Sequence, residues 1–357
     1  MDHLTGERVE LVWNKGIASR CDARFPDEFP DGLNYLSVPA QAGALWSSRL
    51  PDNLISNPPA QFGIGAGELV WVRLSWLRSF VRQILPFVKS EFVLVTGDSD
   101  SCVPSELGSE AREILGSPKV LHWYTQNYDG SIASDRISPI PIGIDFHMLS
   151  ERAIWGEEMS PPVEQEGVLM SISRSLPALR ARVQRVYVDF GWQRGFGLFH
   201  HRRFHPLLGT NFHEHRRHLA KRLRENELVY FQARQLPRGE MWRRRGEFAF
   251  VLSPHGMGLD CHRTWEALAL GHIVLVPSSS LDGLFVDLPV VPLKSWDEIT
   301  LENLERWLSL YGDNSTTYEK LFSGYWVREM RSKAKGRPGT APFVASTSLA
   351  QGRAERG

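Results

Sequence analysis

The chain predicts an α/β fold built in two halves. Short apolar strands alternate with helical stretches through most of its 357 residues, the pattern of sheets covered by helices. That alternation restarts after a polar, proline-paired stretch at Glu157–Glu166 (EEMSPPVEQE). Further on, a strand, a glycine loop, a helix and a second strand follow one another within about thirty residues, the length of one right-handed βαβ unit.

Residues 1–60 are rich in Pro, Gly, Asn and Asp and predict loops with short strands. Leu69–Val88 (LVWVRLSWLRSFVRQILPFV) spaces apolar groups at three and four, which predicts an amphipathic helix. Glu91–Val95 ends in the strand FVLV and leads into Thr96–Asp100. Lys119–Tyr124 (KVLHWY) is a second strand, leading into Gln126–Gly130. Ile137–Ile144 (ISPIPIGI) is an apolar, proline-punctuated strand that ends at Asp145, Phe146 and His147. After the linker the sequence predicts a strand at Val168–Ser173 and helices at Pro177–Val188 and His213–Glu225. Strands follow at Leu228–Gln232 and Phe248–Leu252. LENLERWLSL and Tyr318–Met330 predict closing helices, and the polar residues from about Arg331 onward a disordered tail. The expected domains are residues 1–160 and 167–330, with a tail at 331–357.

A 42% hydrophobic and 23% charged composition is that of a soluble globular protein and excludes collagen, coiled coil and wholesale disorder. Lys+Arg and Asp+Glu number 41 each, so net charge makes no case for a nucleic-acid or membrane-surface partner. The balance hides an asymmetry: Arg174–Arg245 carries 17 basic against 5 acidic residues, a basic middle suited to an anionic ligand or to an acidic neighbouring domain. Cys21, Cys102 and Cys261 are too few and too scattered for a disulfide framework or a cysteine zinc site. No apolar run approaches the ~18 residues of a membrane span, and the first residues lack a basic-then-apolar signal pattern. The expectation is a soluble protein of a reducing compartment such as the cytoplasm.

Phe248–Pro277 carries the chemistry. Ser253 and Pro254 end the strand FAFVL; Gly256 and Gly258 let the backbone turn tightly and approach a ligand. Asp260 is placed to cap the next helix and Gly271 to end it. Such a loop aims N–H groups and a helix dipole at the crevice beyond the strand's carboxyl end, a ready anion site. His262, Arg263 and Glu266 share a helix face. A cation in the first turn opposes the dipole unless an anion compensates it, so Arg263 points to phosphate; an Arg263–Glu266 surface ion pair is the simpler alternative.

The run SPHGMGLDCHRTWEAL (Ser253–Leu268) resembles the C-terminal domain of exostosin-like glycosyltransferases. So do the following Ile273–Pro277, Leu281–Leu284 and Asp287–Pro289. Upstream, Thr96–Asp100, Gln126–Asp129 and Pro139–Asp145 are similar to soluble members of that family, so the likeness covers roughly Phe92–Trp296 in patches. The resemblance implies a GT-B fold, two Rossmann-like domains facing across a cleft. It also implies transfer of a sugar, hexosyl or pentosyl, from a nucleotide-sugar (a UDP-sugar) to a hydroxyl of a glycan or glycoconjugate. On that match Arg263 sits at the diphosphate and Glu266 at the ribose. The family's membrane-tethered members carry an N-terminal anchor that has no counterpart here.

The leaving diphosphate needs pre-positioned donors: the Gly256–Asp260 amides, Arg263 and His255. Ser171, Ser173 and Arg174, with Arg180 nearby, form a second candidate phosphate loop. An inverting reaction also needs a general base. Asp98, Asp100, Asp145 and His147 all end predicted strands, and Asp98 and Asp145 are the preferred pair. No metal or other cofactor is expected. Two alternatives stay open. Asp98 and Asp100 mimic the metal-binding DxD of the other large glycosyltransferase fold, GT-A, and the chain can be a non-catalytic nucleotide- or carbohydrate-binding module. His213, His215 and His218, beside Arg216, Arg217 and Lys221, read as a basic surface rather than a metal site, and Trp192 and Trp242 as core or sugar-stacking residues.

Overall fold

A computed structural model describes residues 9–25, 63–190, 204–205, 210–312 and 318–334, without the side chains of 204–205 and 210–215. It contains two five-stranded sheets, each parallel throughout, with helices on their faces. The α/β class expected from the sequence is the class found.

The chain enters through a short helix, α1 (Asn14–Ala18), and the edge strand β1 (Ala23–Phe25). Then come β2 (Leu69–Arg73), α2 (Leu74–Gln83), β3 (Phe92–Gly97), α3 (Ser109–Gly116), β4 (Val120–Thr125) and β5 (Ile137–Pro139). The first sheet has the order β1-β2-β3-β4-β5. The expected helix over Leu69–Val88 is therefore a strand followed by a helix. All five residues of LVWVR are buried between β1 and β3, and a run of branched and aromatic side chains without a polar face is what a central parallel strand presents. Helical spacing begins at α2, whose Leu74, Leu77, Phe80 and Val81 pack inward.

A short helix, α4 (His147–Glu151), and a longer one, α5 (Pro162–Ser175), join the halves. The stretch taken from sequence as a linker and then a strand at Val168–Ser173 is mostly α5. Pro162 stands in its first turn, where a missing N–H costs nothing, and Gln165, Leu169 and Ile172 bury one helical stripe. Conversely, Pro177–Val188 is not a helix: a 3-10 turn at Leu179–Ala181 leads into β6 (Val183–Val188), whose Val186, Tyr187 and Val188 are buried in the second sheet.

The remaining elements are β7 (Phe204–His205), β8 (Thr210–Asn211), α6 (Phe212–Leu223), β9 (Val229–Phe231), α7 (Arg238–Gly246) and β10 (Phe248–Leu252). They continue as α8 (His262–Ala269), β11 (Ile273–Pro277), β12 (Val290–Leu293), α9 (Leu301–Tyr311) and α10 (Ser323–Ala334). The second sheet has the order β12-β11-β10-β6-β9, with β7 and β8 forming a separate antiparallel pair. The last helix, α10, returns to pack on β2, β3 and β4 of the first sheet, burying Trp326 and Met330. It runs to Ala334, past the point where the sequence predicted the tail to begin; residues 335–357 lie outside the described residues.

The two halves meet through segments that leave the carboxyl ends of their strands. Asn127 follows β4, Ile142–Asp145 follow β5, the glycine loop follows β10 and Ser280 follows β11. Across this seam Asp260 N donates to Asn127 Oδ1 at 2.9 Å, Ile142 N donates to Asp260 Oδ2 at 2.8 Å, and Ser280 Oγ donates to Tyr128 O at 2.7 Å. Open α/β sheets bind ligands beyond the carboxyl ends of their strands, so the seam is where a site belongs.

Candidate functional site

The loop from Ser253 to Cys261 is buried except at Met257 and Cys261. Gly256 N closes it on Gly258 O at 3.0 Å, and the His255 ring nitrogen Nδ1 lies 2.8 Å from Leu259 O. Its glycines are required by close approach. A Cβ on Gly256 would meet Cys261 Sγ at 2.9 Å, and one on Gly258 would meet the Asn127 amide at 2.6 Å. Asn127 is itself fully buried and holds Ser99 O and Asp260 N, so it has no room to retreat. Gly258→Ala is expected to destabilise the protein by about 1–3 kcal/mol, as overpacking does, measured as a lower urea midpoint at unchanged slope.

Asp260, expected to cap α8, is not the N-cap; that position is Cys261. Instead its two carboxyl oxygens take the Trp265 indole N–H (3.0 and 2.8 Å), Cys261 N and, across the seam, Ile142 N. Burial pushes its pKa up to about 6 against those hydrogen bonds. It ties the loop, the buried Trp265 and the first half together.

Arg263 points neither to bulk water nor to Glu266. Its Nε donates to Asp189 Oδ1 at 2.8 Å, its guanidinium lies 5.9 Å from the Phe190 ring, and its Nη1 is buried with no hydrogen-bond partner among the described residues. A buried guanidinium N–H left unpaired costs about 1–3 kcal/mol or more, which an arriving anion would relieve. Arg216 of α6 also lies against this ring, 5.6 Å from its centre, with Nε donating to His255 O at 3.2 Å. Burial, reinforced by the positive charge of Arg263, pushes its pKa down to about 10. Two guanidiniums that disfavour each other therefore lie against Phe190 beside the glycine loop. The sequence assigned Arg216 to a solvated basic face; the wall of this site is where it stands. The side chains of His213 and His215 lie outside the described residues, and His218 is exposed.

Glu266, expected at the ribose, is consumed by arginines. Arg238 Nη2 donates to its Oε1 at 3.0 Å and Arg245 Nη1 to its Oε2 at 3.2 Å. Burial alone would raise its carboxyl, but the two cations hold it below the usual range. Arg245 also grips Asp189 through Nη2 (2.6 Å) and Nε (3.0 Å), so Asp189 bridges Arg245 and Arg263. Arg238 is stacked between Trp155 and Trp242 at 4.8 and 4.5 Å, and donates to Gln165 Oε1 at 2.6 Å and to Asp145 O. Trp242 is thus packing beneath an arginine rather than a platform for sugar; Trp192 lies outside the described residues.

The first half supplies acids of two kinds. Asp98, at positive φ (60°) just after β3, is 3% exposed at its side chain. It lies 2.9 Å from Arg73 Nε and accepts from Asn14 Nδ2 at 3.0 Å. Burial raises its pKa, but Lys15, Arg73 and the nearby histidines outweigh that and hold it low. A carboxylate so engaged anchors the strand end, which speaks against Asp98 as the base, and Asp100, its partner in the DxD reading, is exposed. Asp145 differs. Gly143, at φ 69°, lets the chain pass so close to the N-terminal segment that a Cβ there would meet Val12 O at 2.2 Å, and this turn delivers Asp145 to the seam. Its Oδ1 accepts from Met148 N at 3.1 Å and lies 3.0 Å from His147 Nδ1. Burial opposes its ionisation, yet His147, His262 and Arg238 leave it far below the usual carboxylate range. His262, opening α8, brings Nδ1 within 2.7 Å of Gly143 O and its ring within 5.6 Å of His147.

Ser171, Ser173, Arg174 and Arg180 are not brought to this place. The first three are on α5, where Ser171 and Arg174 are exposed and Ser173 Oγ donates to Ala269 O at the far end of α8. Arg180 is exposed and lies beside Gly312, just past α9, where a Cβ would meet its Nε at 3.2 Å. Both segments precede β6, whereas the glycine loop follows β10, and β6 and β10 are parallel. The second candidate phosphate loop is therefore at the opposite edge of the sheet.

No protein-family model matches the chain, and no curated protein does. Among solved structures it is similar to an alpha,alpha-trehalose-phosphate synthase (UDP-forming) from Burkholderia vietnamiensis. That likeness has a TM-score of 0.37 and 12% identity over 78% of this chain and 73% of that one. An Escherichia coli structure described as trehalose-6-phosphate bound with UDP-2-fluoro glucose scores 0.33 at 10% identity, over 76% and 69%. An alpha-glucosyltransferase in complex with UDP and a 13-mer DNA scores 0.27 at 10% identity, over 74% and 73%. Overlaps this loose carry no argument about function, which rests on the chain's own residues. Among the described residues no helix is long and apolar enough to cross a membrane.

Proposed function

We propose that the chain is a glycosyltransferase of the exostosin-like, GT-B kind, with residues 1–160 as the acceptor-side domain and 167–330 as the donor-side domain. It would move a sugar from a nucleotide-sugar, UDP being the carrier its motifs imply, to a hydroxyl of a glycan or glycoconjugate. The observation that carries this reading is convergence at the first turn of α8. Arg263, whose Nη1 has no hydrogen-bond partner among the described residues, lies against Phe190 with Arg216, and His262, one residue earlier, faces Asp145 and His147 from the other half.

In this reading the diphosphate docks between Arg263, Arg216 and the glycine loop. Two fixed cations in a poorly hydrated place stabilise the charge that develops as the bond between C1 of the sugar and the diphosphate oxygen breaks. They supply the positive charge that a metal provides elsewhere, so transfer needs none. On the opposite face His147 acts as the general base. Asp145 Oδ1, an acceptor only, fixes the proton on Nδ1 and leaves the Nε2 lone pair to take the acceptor's hydroxyl proton as its oxygen bonds to C1. Asp145, first assigned as the base itself, becomes the group that orients it. Glu266 and Asp189 position the arginines rather than touch ribose.

Thermal unfolding against a panel of nucleoside diphosphates and nucleotide-sugars tests the reading. A true donor at one hundred times its Kd stabilises by about 2.7 kcal/mol. A panel in which UDP and UDP-sugars shift the midpoint no more than uridine does would sink the proposal.

A further inference from the structure

Asp145, His147 and His262 each place one potential ligand atom within 4.8 Å of the other two, from both sides of the seam. Asp145 and His147 are buried and His262 is half-buried. We infer that these three residues form a transition-metal site that bridges the two halves, taking a divalent ion of the zinc class. The inference goes beyond the transferase reading and does not depend on it.

The chemistry of the donor set fits such an ion. Two imidazoles and a carboxylate suit Zn²⁺, Co²⁺ or Ni²⁺ and are a poor cage for Mg²⁺ or Ca²⁺, which demand oxygen. The His262 ring is already held as a metal-binding histidine is held, by a backbone carbonyl outside the site. His262 Nδ1 lies 2.7 Å from a carbonyl oxygen and His147 Nδ1 3.0 Å from a carboxylate oxygen. A carbonyl oxygen cannot donate, so a neutral His262 carries its proton on Nδ1 and offers Nε2 as the ligand, while His147 Nδ1 already stands beside the Asp145 carboxylate as two ligands of one ion would. Asp145 accepts from Met148 N through Oδ1, which orients its carboxylate toward the two rings. The backbone beneath it is pinned by Arg238 donating to Asp145 O. Tetrahedral zinc needs donor atoms about 3.4 Å apart, from Zn–N and Zn–O lengths near 2.1 Å. Three protein ligands leave a fourth position for water.

Because the ligands come from both halves, a bound ion adds a cross-link to the seam, and because it occupies His147 and Asp145, it competes with proton transfer there. Both consequences are measurable. The experiment is titration of the full chain, first stripped with chelator, with Co²⁺ followed by visible absorption and with Zn²⁺ followed by calorimetry. The expected result is one equivalent bound, a four-coordinate Co²⁺ spectrum, and loss of affinity by at least about tenfold in each of His262→Gln, His147→Gln and Asp145→Asn. Far-UV circular dichroism of the variants confirms that they remain folded, and the wild-type Co²⁺ spectrum stands without them. Absence of stoichiometric binding, or binding that survives all three substitutions, overturns the site. If a metal binds and leaves sugar transfer unimpaired, the role of His147 as base falls while the metal site stands. If no metal binds and transfer proceeds, the reverse holds.

Discussion

Replacing Arg263 by Ala lowers affinity for UDP by roughly ten- to a hundredfold while leaving affinity for uridine nearly unchanged. A hydrogen bond to a charged group contributes about 1.5–3 kcal/mol, and here the guanidinium is buried, so water offers little compensation. The difference between the two ligands isolates the phosphate, because the nucleoside has none. Arg263→Lys should recover little, since a lysine cannot keep Nε on Asp189 at 2.8 Å and present a second N–H to the ligand at once. Calorimetric titration of both ligands into both variants measures this. Equal losses for UDP and uridine would mean that Arg263 holds the fold through Asp189 and nothing more.

The second large effect is at His147. His147→Ala is expected to reduce kcat by roughly 10²–10⁴, the usual contribution of a positioned base, with the Kd for UDP unchanged. Asp145→Asn should reduce kcat less. An asparagine amide keeps an oxygen for Nδ1–H but removes the charge that stabilises the imidazolium formed on proton uptake. Asp98→Asn gives a contrasting control: it leaves Arg73 buried beside a neutral partner and so lowers stability, by about 3–5 kcal/mol if it behaves as other broken buried pairs do. A full loss of kcat in Asp98→Asn at unaltered stability would reverse the assignments of Asp98 and Asp145.

The strand–loop–helix–strand unit from Phe248 to Pro277 was legible because each piece is local. FAFVL and IVLVP are uninterrupted apolar runs, and Gly271 sits at positive φ (75°) just past the end of α8, as its place in the sequence suggests. The misread elements share a cause. LVWVR is buried along its whole length and VQRVYV only over its last three residues, so neither shows a strand's alternation and their spacing alone does not separate strand from helix. Prolines 161 and 162 mark the start of α5 as easily as a linker.

The site divides along the same line. Gly256, Gly258 and Arg263 came from local pattern. Asp189, Arg238 and Arg245 did not, although they decide what Arg263 and Glu266 can do, because their contacts span tens of residues. One signal was present: a basic excess between Arg174 and Arg245. Part of that excess is spent inside the protein on Asp189 and Glu266, and part stands at the loop as Arg216. Distinguishing Asp98 from Asp145 also needed the fold, since both follow strands and only the partners differ: Arg73 and Asn14 for one, His147 for the other.

The most direct measurement is a crystal structure of the protein with UDP. The account predicts diphosphate oxygens about 3 Å from Arg263 Nη1, with Arg216 on the same side of the ligand and Arg263 Nε still on Asp189. A diphosphate bound elsewhere, with Arg263 Nη1 left unpaired beside an unchanged loop, would contradict it.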